Sequence, residues 1–273
     1  MKKTKRKASN LWGIAAVVLL IGSLSLLLYP TVSKVINQQK ANHVVSEFNE
    51  VIEKIEQKTE TETYNSDSSS NAVSADGEDI IIQNTDYIVS NTEYSLTPQG
   101  IEALYRDSQH YNETLSKWQS FENNDFSLSA LNLPDYGIYN GVYGYINIPD
   151  INLQMPILLG SSNQNMAVGV THLYQTSLPT GGKDTNCVIS GHTGFTGRTF
   201  FDDIPNLQTG SIITVTTFFG TLDYEVSDIK KIDITETNDL FIEKGKDKLT
   251  LLTCADGGDR RWQVSCIRKN QSH

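Results

Sequence analysis

The sequence predicts a mainly β domain, built as an antiparallel sandwich or a closed barrel and preceded by helical segments and a polar linker. From Gly141 onward the chain is a series of short β-branched or alternating runs, with Gly, Pro, Asn and Asp between them. Upstream lie one long apolar run and a stretch rich in Ser, Thr, Glu and Asp. The 273 residues leave room for one main domain plus additional segments.

Seven runs of the β domain have the composition of strands. They are Val142–Ile148, Met155–Leu158, Cys187–Ser190, Ser211–Thr217, Leu222–Ile229, Lys248–Thr253 and Trp262–Ile267. A short helix is predicted around Arg198–Ile204, and there is no internal repeat.

Residues Leu11–Tyr29 carry no charge and are long enough, at about 1.5 Å per residue, to cross a hydrocarbon core of about 30 Å. The basic residues before this run should stay in the cytoplasm, which places the remaining chain outside. A cleaved signal peptide is the alternative interpretation. The run exceeds the usual apolar region of about 7–15 residues and no small-x-small site follows it, so we expect an uncleaved anchor.

The chain is therefore predicted to contain six segments. Val32 to Lys58 has apolar residues at helical spacing, whereas Thr59 to Gly77 is too polar to bury a core. Thr97 and Pro98 mark a helix start. The predicted segments are a basic cytoplasmic segment 1–10, an anchor 11–29, a juxtamembrane helix 30–58, a flexible linker 59–94, a helical extension 95–135 and a β domain 136–273.

Composition excludes several classes of function. The 32 acidic and 22 basic residues give a net charge of −10, and without the five basic residues of segment 1–10 the remainder carries −15. A body this acidic argues against a nucleic-acid binder. The three cysteines are too few and too widely spaced for a disulfide-dense scaffold or a CxxC zinc site. No metal or organic cofactor is expected, although calcium binding by acidic loops stays open.

Cys254 and His192 are the candidate catalytic residues. Cys254 ends the run Lys248–Cys254 and is followed by the turn sequence Ala255–Asp259, while His192 lies in Ser190–Gly194, just after another strand-like run. Both residues therefore lie where a strand enters an exposed loop, a common position for catalytic groups. A single cysteine taken alone is more often a buried small hydrophobe.

Arg260 and Arg261 follow Cys254 and open the next predicted strand. If the two strands pair as a hairpin, one arginine can lie beside the Cys254 sulfur. A thiol, an imidazole and a guanidinium suit acyl transfer: the thiolate attacks, the imidazolium protonates the leaving amine, and the guanidinium stabilises the oxyanion.

At these residues the sequence resembles the sortases, the cell-wall transpeptidases of Gram-positive bacteria. The resemblance rests on TLLTC ending at Cys254, SGHTG around His192, an arginine opening the following strand, GYINIPDINLQMPI at 144–157 and THLYQTSLPTGG at 171–182. It covers about Tyr111 to Lys269, and the N-terminal anchor agrees with it.

The resemblance implies a closed eight-stranded β-barrel and cleavage of an LPxTG-like sorting signal between Thr and Gly. The acyl group would pass through a Cys254 thioester to an amine. In family terms Cys254 is the nucleophile and His192 the general acid and base. Arg261 is the preferred arginine because it directly precedes Trp262, the first apolar residue of its strand, and Arg260 remains the alternative.

The other candidate groups are assigned structural positions. His172 is expected in a loop or wall, while His43, His110 and His273 lie far from the motif. Cys187 and Cys266 are expected as buried thiols rather than a disulfide. Asp256 and Asp259 are interpreted as turn residues, and Ser177–Gly182 (SLPTGG) as a loop that only echoes a sorting signal.

Within the family, the long N-terminal extension most resembles the class C, pilin-polymerising sortases. Many of these carry an Asp-Pro-aromatic lid, and here only Asn124-Asp125-Phe126 matches in part. The Thr-Pro-Tyr sequence after the cysteine and a second, C-terminal membrane segment are also absent from the sequence given.

The expected partners are surface proteins or pilins bearing LPxTG-like signals, an amine acceptor on a pilin lysine or a peptidoglycan precursor, and the membrane. Three alternatives stay open: a sortase of another class, a catalytically silent surface-binding module, and a secreted cysteine hydrolase whose acceptor is water.

Overall fold

The computed structural model describes residues 4–66, 89–121, 125–195, 197 and 199–269. Asn124 of the predicted lid, Arg198 at the start of the predicted short helix, residues 67–88 of the predicted linker and His273 lie outside this part of the chain.

Helix α1 runs without interruption over Thr4–Ser66 and contains Pro30. The predicted anchor and juxtamembrane helix are thus one helix, because a proline removes a single backbone donor and the good helix formers around it can carry the helix past that point. The helix continues into the segment predicted as linker, since each added residue gains a backbone hydrogen bond once the helix exists. Its N-terminal part is long and apolar enough to cross a membrane, with a hydropathy of 2.2 over the best window.

Ten strands and two further α-helices follow within the part of the chain that the structure describes. The strands are β1 Val89–Ser90, β2 Ser95–Leu96, β3 Val142–Ile148, β4 Leu153–Leu159, β5 Val170–His172, β6 Thr185–Ser190, β7 Ile212–Thr217, β8 Gly220–Asp233, β9 Asp247–Ala255 and β10 Arg260–Arg268. Helix α2 spans Pro98–Trp118 and α3 spans Asn163–Met166. Thr97 caps α2 by accepting a hydrogen bond from the Gly100 amide, with Pro98 in the first turn, as the sequence predicts.

Strands β3–β10 form a closed eight-stranded barrel in the order β10-β8-β7-β3-β4-β5-β6-β9. The predicted closed barrel is confirmed, and the alternative of a purely antiparallel sandwich is wrong. Two of the pairs, β4 with β5 and β6 with β9, are parallel. Sequence patterning misses β5 because its three residues are too few to show an alternation.

Side chains of each barrel strand alternate between the interior and the outer face. In β9, Leu249 and Leu251 join the interior cluster, while Leu252 belongs to a separate outer cluster. In β10, Val264 and Cys266 face inward. The outward positions of these two strands therefore include Cys254 and Arg261.

Helices α1 and α2 cover part of the outer barrel wall. Phe48 of α1 is fully buried and packs its ring 4.5 Å from Phe218 and 6.0 Å from Tyr145. Leu104 of α2 and Tyr94 join the same cluster. Tyr94 is thus part of the packed structure, although the sequence places residue 94 in the linker.

The predicted helix at Arg198–Ile204 is replaced by one 3₁₀ turn at Ile204–Asn206. The Asp202 carboxylate accepts hydrogen bonds from the Gly194 and Phe200 amides. These side-chain hydrogen bonds to the backbone compete with helix formation around Asp202.

The SLPTGG sequence forms a loop on the barrel, as predicted, and its first three residues are buried. Leu178 is 1 % exposed, its amide donates to Asn112 Oδ1, and its carbonyl accepts from Asn112 Nδ2. These contacts hold the first half of the loop against α2.

His172 is completely buried in β5, with its Nε2 at 3.0 Å from the Thr176 carbonyl and 3.1 Å from the Ser177 carbonyl. Burial lowers the pKa of His172 from 6.5 to about 4, and the two backbone hydrogen bonds oppose this shift only in part.

The His172 ring should make the fold sensitive to acid. Between pH 6.5 and about 4 the unfolded chain binds a proton that the folded chain does not, so the free energy of unfolding falls as pH falls, by an amount of the order of 3 kcal/mol. Urea unfolding over this pH range measures the slope. His172→Gln should reduce the slope of the free energy of unfolding against pH, while the matched His110→Gln on α2 should leave that slope unchanged. A slope in His172→Gln equal to that of the parent protein would contradict the assignment.

Candidate active site

Cys254 lies near the end of β9, where the chain turns through Asp256–Gly258 into β10. Its outward position leaves the side chain half-buried, whereas Thr253 and Ala255 on either side are buried. The predicted hairpin is present, because β9 and β10 pair antiparallel over their whole length. The sulfur is therefore displayed on the outer face at one end of the barrel.

Arg261 is the residue directly opposite Cys254 in this hairpin. Directly opposed residues point to the same face with their Cβ atoms about 5 Å apart, so the guanidinium can reach the space over the sulfur. Arg261 Nη1 also donates to the carbonyls of Gly258 and Arg260 in the turn. Arg260 instead opposes Ala255, and its Nε lies 3.9 Å from an Asp233 carboxylate oxygen.

His192 follows the parallel partner of β9. Ser190 of β6 opposes Leu252, and the ladder continues because the Gly191 amide donates to the Leu252 carbonyl at 3.1 Å. The Thr253 hydroxyl donates to the Gly191 carbonyl at 2.8 Å. Extending this register by two residues places His192 beside Cys254. The register of the backbone thus places His192, two residues beyond the end of β6, level with Cys254 of β9 and Arg261 of β10.

Aromatic rings surround the His192 imidazole. Phe195 stacks on it with centroids 5.3 Å apart, and Phe200 meets it edge-on at 5.9 Å. The His192 carbonyl accepts a hydrogen bond from the Phe201 amide at 2.9 Å. Desolvation by these neighbours lowers the pKa of His192 below its usual value of 6.5, which favours the neutral imidazole.

Helix α1 contacts the loop that carries His192. Asn37 Nδ2 donates to the Gly197 carbonyl at 2.7 Å. Gly197 adopts a positive φ of 77°, and a Cβ at this position would collide with the Ser33 hydroxyl. Only glycine therefore allows α1 to approach this closely. Sequence reasoning missed Asn37, Gly197 and Asp202, since contacts between distant segments leave no local pattern.

An apolar surface continues from Cys254 along the outer face. We call it the outer patch, and it comprises Leu173, Val188, Ile232, Leu240 and Leu252. The segment after α2 lies on the patch: Phe121 and Phe126 pack against it, with their rings 6.2 Å apart. Leu252 precedes Cys254 by two residues and shares its face, so Phe126 covers the surface that leads to the sulfur.

Polar contacts hold this covering segment in place. Gln119 Nε2 donates to the Gln175 carbonyl, and Gln119 Oε1 accepts from the Ile242 amide. The Phe126 carbonyl accepts from the Ser161 amide at 2.7 Å. Asp125 binds the Ser127 amide and hydroxyl rather than the barrel.

The remaining sequence candidates lie outside this set of three residues. Cys187 and Cys266 are free, buried thiols whose pKa burial raises, as expected for inert core cysteines. Asp256 pairs with Lys231, and the Asp259 amide closes the turn onto the Asp256 carbonyl. The predicted turn roles of both residues fit these contacts.

The family model described as Sortase domain matches residues 146–268. Among curated proteins, sortase A of Staphylococcus aureus is 31% identical over 123 residues, covering 44% of this chain and 58% of that protein. Sortase D of Bacillus subtilis is 28% identical over 111 residues, covering 41% of this chain and 53% of that protein. The chain thus spans about half the length of these curated relatives.

Solved structures match over a larger share of their chains. Sortase C from Clostridium perfringens SM101 is 32% identical with a TM-score of 0.53, and the match covers 64% of this chain and 92% of that one. Streptococcus agalactiae sortase C1 in complex with MTSET is 27% identical with a TM-score of 0.59, and the match covers 65% and 94% of the two chains. These matches place the protein among proteins with a sortase-type barrel. The chain belongs to the sortase family.

The register of the hairpin predicts different effects for the two arginines. Arg261→Ala should lower kcat/KM for an LPxTG-type peptide by at least about a hundredfold, the scale reported for losing one oxyanion donor. Arg260→Ala removes only an exposed pair with Asp233 and should change kcat/KM less than about twofold. Equal losses of kcat/KM in both variants would show that a position opposite Cys254 does not decide which arginine acts.

The contact between α1 and the His192 loop predicts a local change in dynamics. Asn37→Ala removes the hydrogen bond to Gly197, so amide exchange in residues 193–201 should become several-fold faster. Hydrogen–deuterium exchange with mass spectrometry reports this directly. The control is Gln38→Ala, which removes a bond from the next residue of α1 to the Gln154 carbonyl and should leave the loop unchanged. Unaltered exchange in Asn37→Ala would disprove the bracing role.

Proposed function

We propose that this protein is a membrane-anchored cysteine transpeptidase that cleaves an LPxTG-like sorting signal between Thr and Gly and transfers the acyl group to an amine. The observation that carries the proposal is the strand register, in which Arg261 opposes Cys254 and the continued ladder of β6 with β9 leads to His192 beside Cys254. Membership of the sortase family supports the same chemistry.

The first half-reaction forms a thioester. The Cys254 thiolate attacks the Thr carbonyl carbon, and Arg261 stabilises the negative charge that develops on the carbonyl oxygen. The His192 imidazolium then donates its proton to the Gly nitrogen as the carbon–nitrogen bond breaks. The peptide beginning with Gly leaves as a neutral amine.

The second half-reaction restores the enzyme. An incoming amine attacks the thioester carbonyl, neutral His192 accepts a proton from the amine, and the carbon–sulfur bond breaks to return the thiolate. The lowered pKa of His192 favours the neutral imidazole that this step needs. The resting pair can be largely neutral and still react through a minor ion-pair form.

The matched solved structures support a choice of substrate and acceptor. One matched structure is named as sortase C1 of GBS Pilus Island 1, 27% identical with a TM-score of 0.58 over 87% of that chain. We therefore propose a pilin lysine as the acceptor, in pilus assembly. Helix α1 would anchor the enzyme with its N-terminus in the cytoplasm and the barrel outside, as the basic residues before the apolar run indicate.

A second candidate is a sortase that attaches surface proteins to a peptidoglycan amine. The curated relatives favour it, because they are named sortase A and sortase D rather than sortase C. The choice depends on the acceptor: transfer to a lysine-containing pilin fragment supports the first function, and transfer only to a peptidoglycan-type amine supports the second.

Mass spectrometry tests the reaction itself. The purified chain mixed with an LPxTG-type peptide should give a thioacyl adduct or cleavage of the Thr–Gly bond. Cys254→Ala should give neither, and Cys266→Ala, which removes a buried thiol on the neighbouring strand, should retain both. Products unchanged in Cys254→Ala would refute the nucleophile assignment.

The covering segment predicts that peptide access is restricted. Phe126→Ala removes a ring from the outer patch, so the segment should open more often and kcat/KM for the peptide should rise several-fold. The matched control is Leu128→Ala, whose side chain is 49 % exposed in the same segment and which should have little effect. A lower or unchanged kcat/KM in Phe126→Ala would eliminate the lid.

A further inference from the structure

A cleft of about 380 Å³ lies between α2 and the residues that follow β5, apart from the row of His192, Cys254 and Arg261. Its lining includes four tyrosine or tryptophan side chains: Tyr111, Trp118, Tyr136 and Tyr174. Asp107 and His110 lie at its α2 side, and Gln175 lies on the opposite side. The Trp118 side chain is 60 % exposed, which leaves the cleft open to solvent.

Gln175 has a strained backbone conformation, and one of its side-chain atoms lacks a hydrogen-bond partner among the described residues. Its φ of 65° is in the left-handed region that residues other than glycine rarely occupy. Its amide donates to the Tyr111 hydroxyl at 3.0 Å, and its carbonyl accepts from Gln119 Nε2 at 2.9 Å. The side-chain oxygen Oε1 is buried and has no partner among the described residues. Strain of this kind concentrates at functional sites, and an unpaired buried acceptor favours any ligand that brings a donor.

The other groups of the cleft also attract positive charge. Asp107 Oδ2 accepts a hydrogen bond from the Tyr136 hydroxyl at 2.9 Å, which fixes the carboxylate at the rim. Arg106 pairs with Asp107 at 3.3 Å, but its side chain is 70% exposed, so this pair is weak and easily exchanged. The faces of the aromatic rings carry negative potential that binds cations.

We propose that this cleft binds the ammonium group of a lysine side chain from a protein partner. The lysine stem lies against the aromatic rings, the ammonium faces the Asp107 carboxylate, and the Gln175 side chain turns toward the cleft so that its Oε1 accepts from the ammonium. A quaternary ammonium would satisfy the rings but has no N–H to give to Gln175. A neutral apolar side chain would leave both the oxygen and the carboxylate without a partner.

The bound lysine is a docking contact and not the reacting amine. Strands β5 and β6 are antiparallel, and the Leu173 amide donates to the Val188 carbonyl. Val188 precedes His192 by four residues, a distance of about 13 Å along a strand, and the cleft begins beyond Leu173. A lysine side chain cannot bridge that distance. The identification of the partner as a protein substrate rests on the proposed function, whereas the site itself does not.

Binding is measured in the full-length Cys254→Ala protein, which has no nucleophile. The probes are Nα-acetyl-lysine amide and Nα-acetyl-norleucine amide, which differ in the terminal ammonium group, together with tetramethylammonium. The Trp118 indole N–H resonance, assigned by its loss in Trp118→Phe, reports occupancy of the cleft. A saturable shift with the lysine amide alone is expected. Equal shifts with the norleucine amide or with tetramethylammonium would overturn the assignment.

Three variants identify the groups responsible. Gln175→Leu removes the buried acceptor and should weaken lysine binding by about tenfold or more. Asp107→Asn should weaken it about threefold, because the carboxylate is partly exposed. Gln175→Glu retains an acceptor, adds charge and should bind at least as tightly as the parent.

The matched control is Glu102→Gln, which makes the same change of charge at an exposed position of α2 and should bind like the parent. Thermal unfolding of each variant confirms that it is folded. Parental binding in both Gln175→Leu and Asp107→Asn would refute the site. Lysine binding by the Cys254→Ala protein, together with no thioester formation by the parent protein, would refute the proposed function and leave the site standing.

Discussion

The parallel pairing of β6 with β9 is the constraint on which the site depends. It joins two strands far apart in the sequence, and its continuation through Gly191 brings His192 level with Cys254. A parallel pair needs a long connection, and here residues 191–246 supply it and contain both β7 and β8. The hairpin to β10 then adds Arg261 on the other side of Cys254. The strand pairs that complete the barrel are thus the ones that place His192, Cys254 and Arg261 side by side.

Side chains alternate between the two faces of each strand, so the residues that fill the core differ from those of the candidate site. Inward residues of β9 and β10 fill an apolar interior, and the outward residues of the same strands bear the thiol, the guanidinium and the outer patch. Substitutions on the outer face therefore leave the main core intact. Packing in this interior also explains why Cys187 and Cys266 are inert: burial disfavours their thiolates, while Cys254, on the outer face, is half-buried.

Much of the barrel was predictable because the information is local. The seven predicted runs all fall within or nearly match strands, and the Thr97–Pro98 helix start is read from adjacent residues. Periodicity could not separate a sandwich from a barrel, since both give the same alternation, and only the resemblance to a family did so. Helix α1 continues through Pro30 because one proline does not outweigh the propagation of a helix.

The parts of the site that sequence reasoning missed are long-range contacts. Asn37 lies 160 residues from Gly197, and neither residue has a neighbour that would reveal the contact. The same holds for Gln119, which ties the end of α2 to both the Gln175 and the Ile242 backbones. These contacts link α1 to the loop that follows His192 and link the end of α2 to the backbone beneath the covering segment. The N-terminal region is consequently part of the structure around the candidate site, because the helix that contains the apolar membrane candidate also contacts the loop that follows His192.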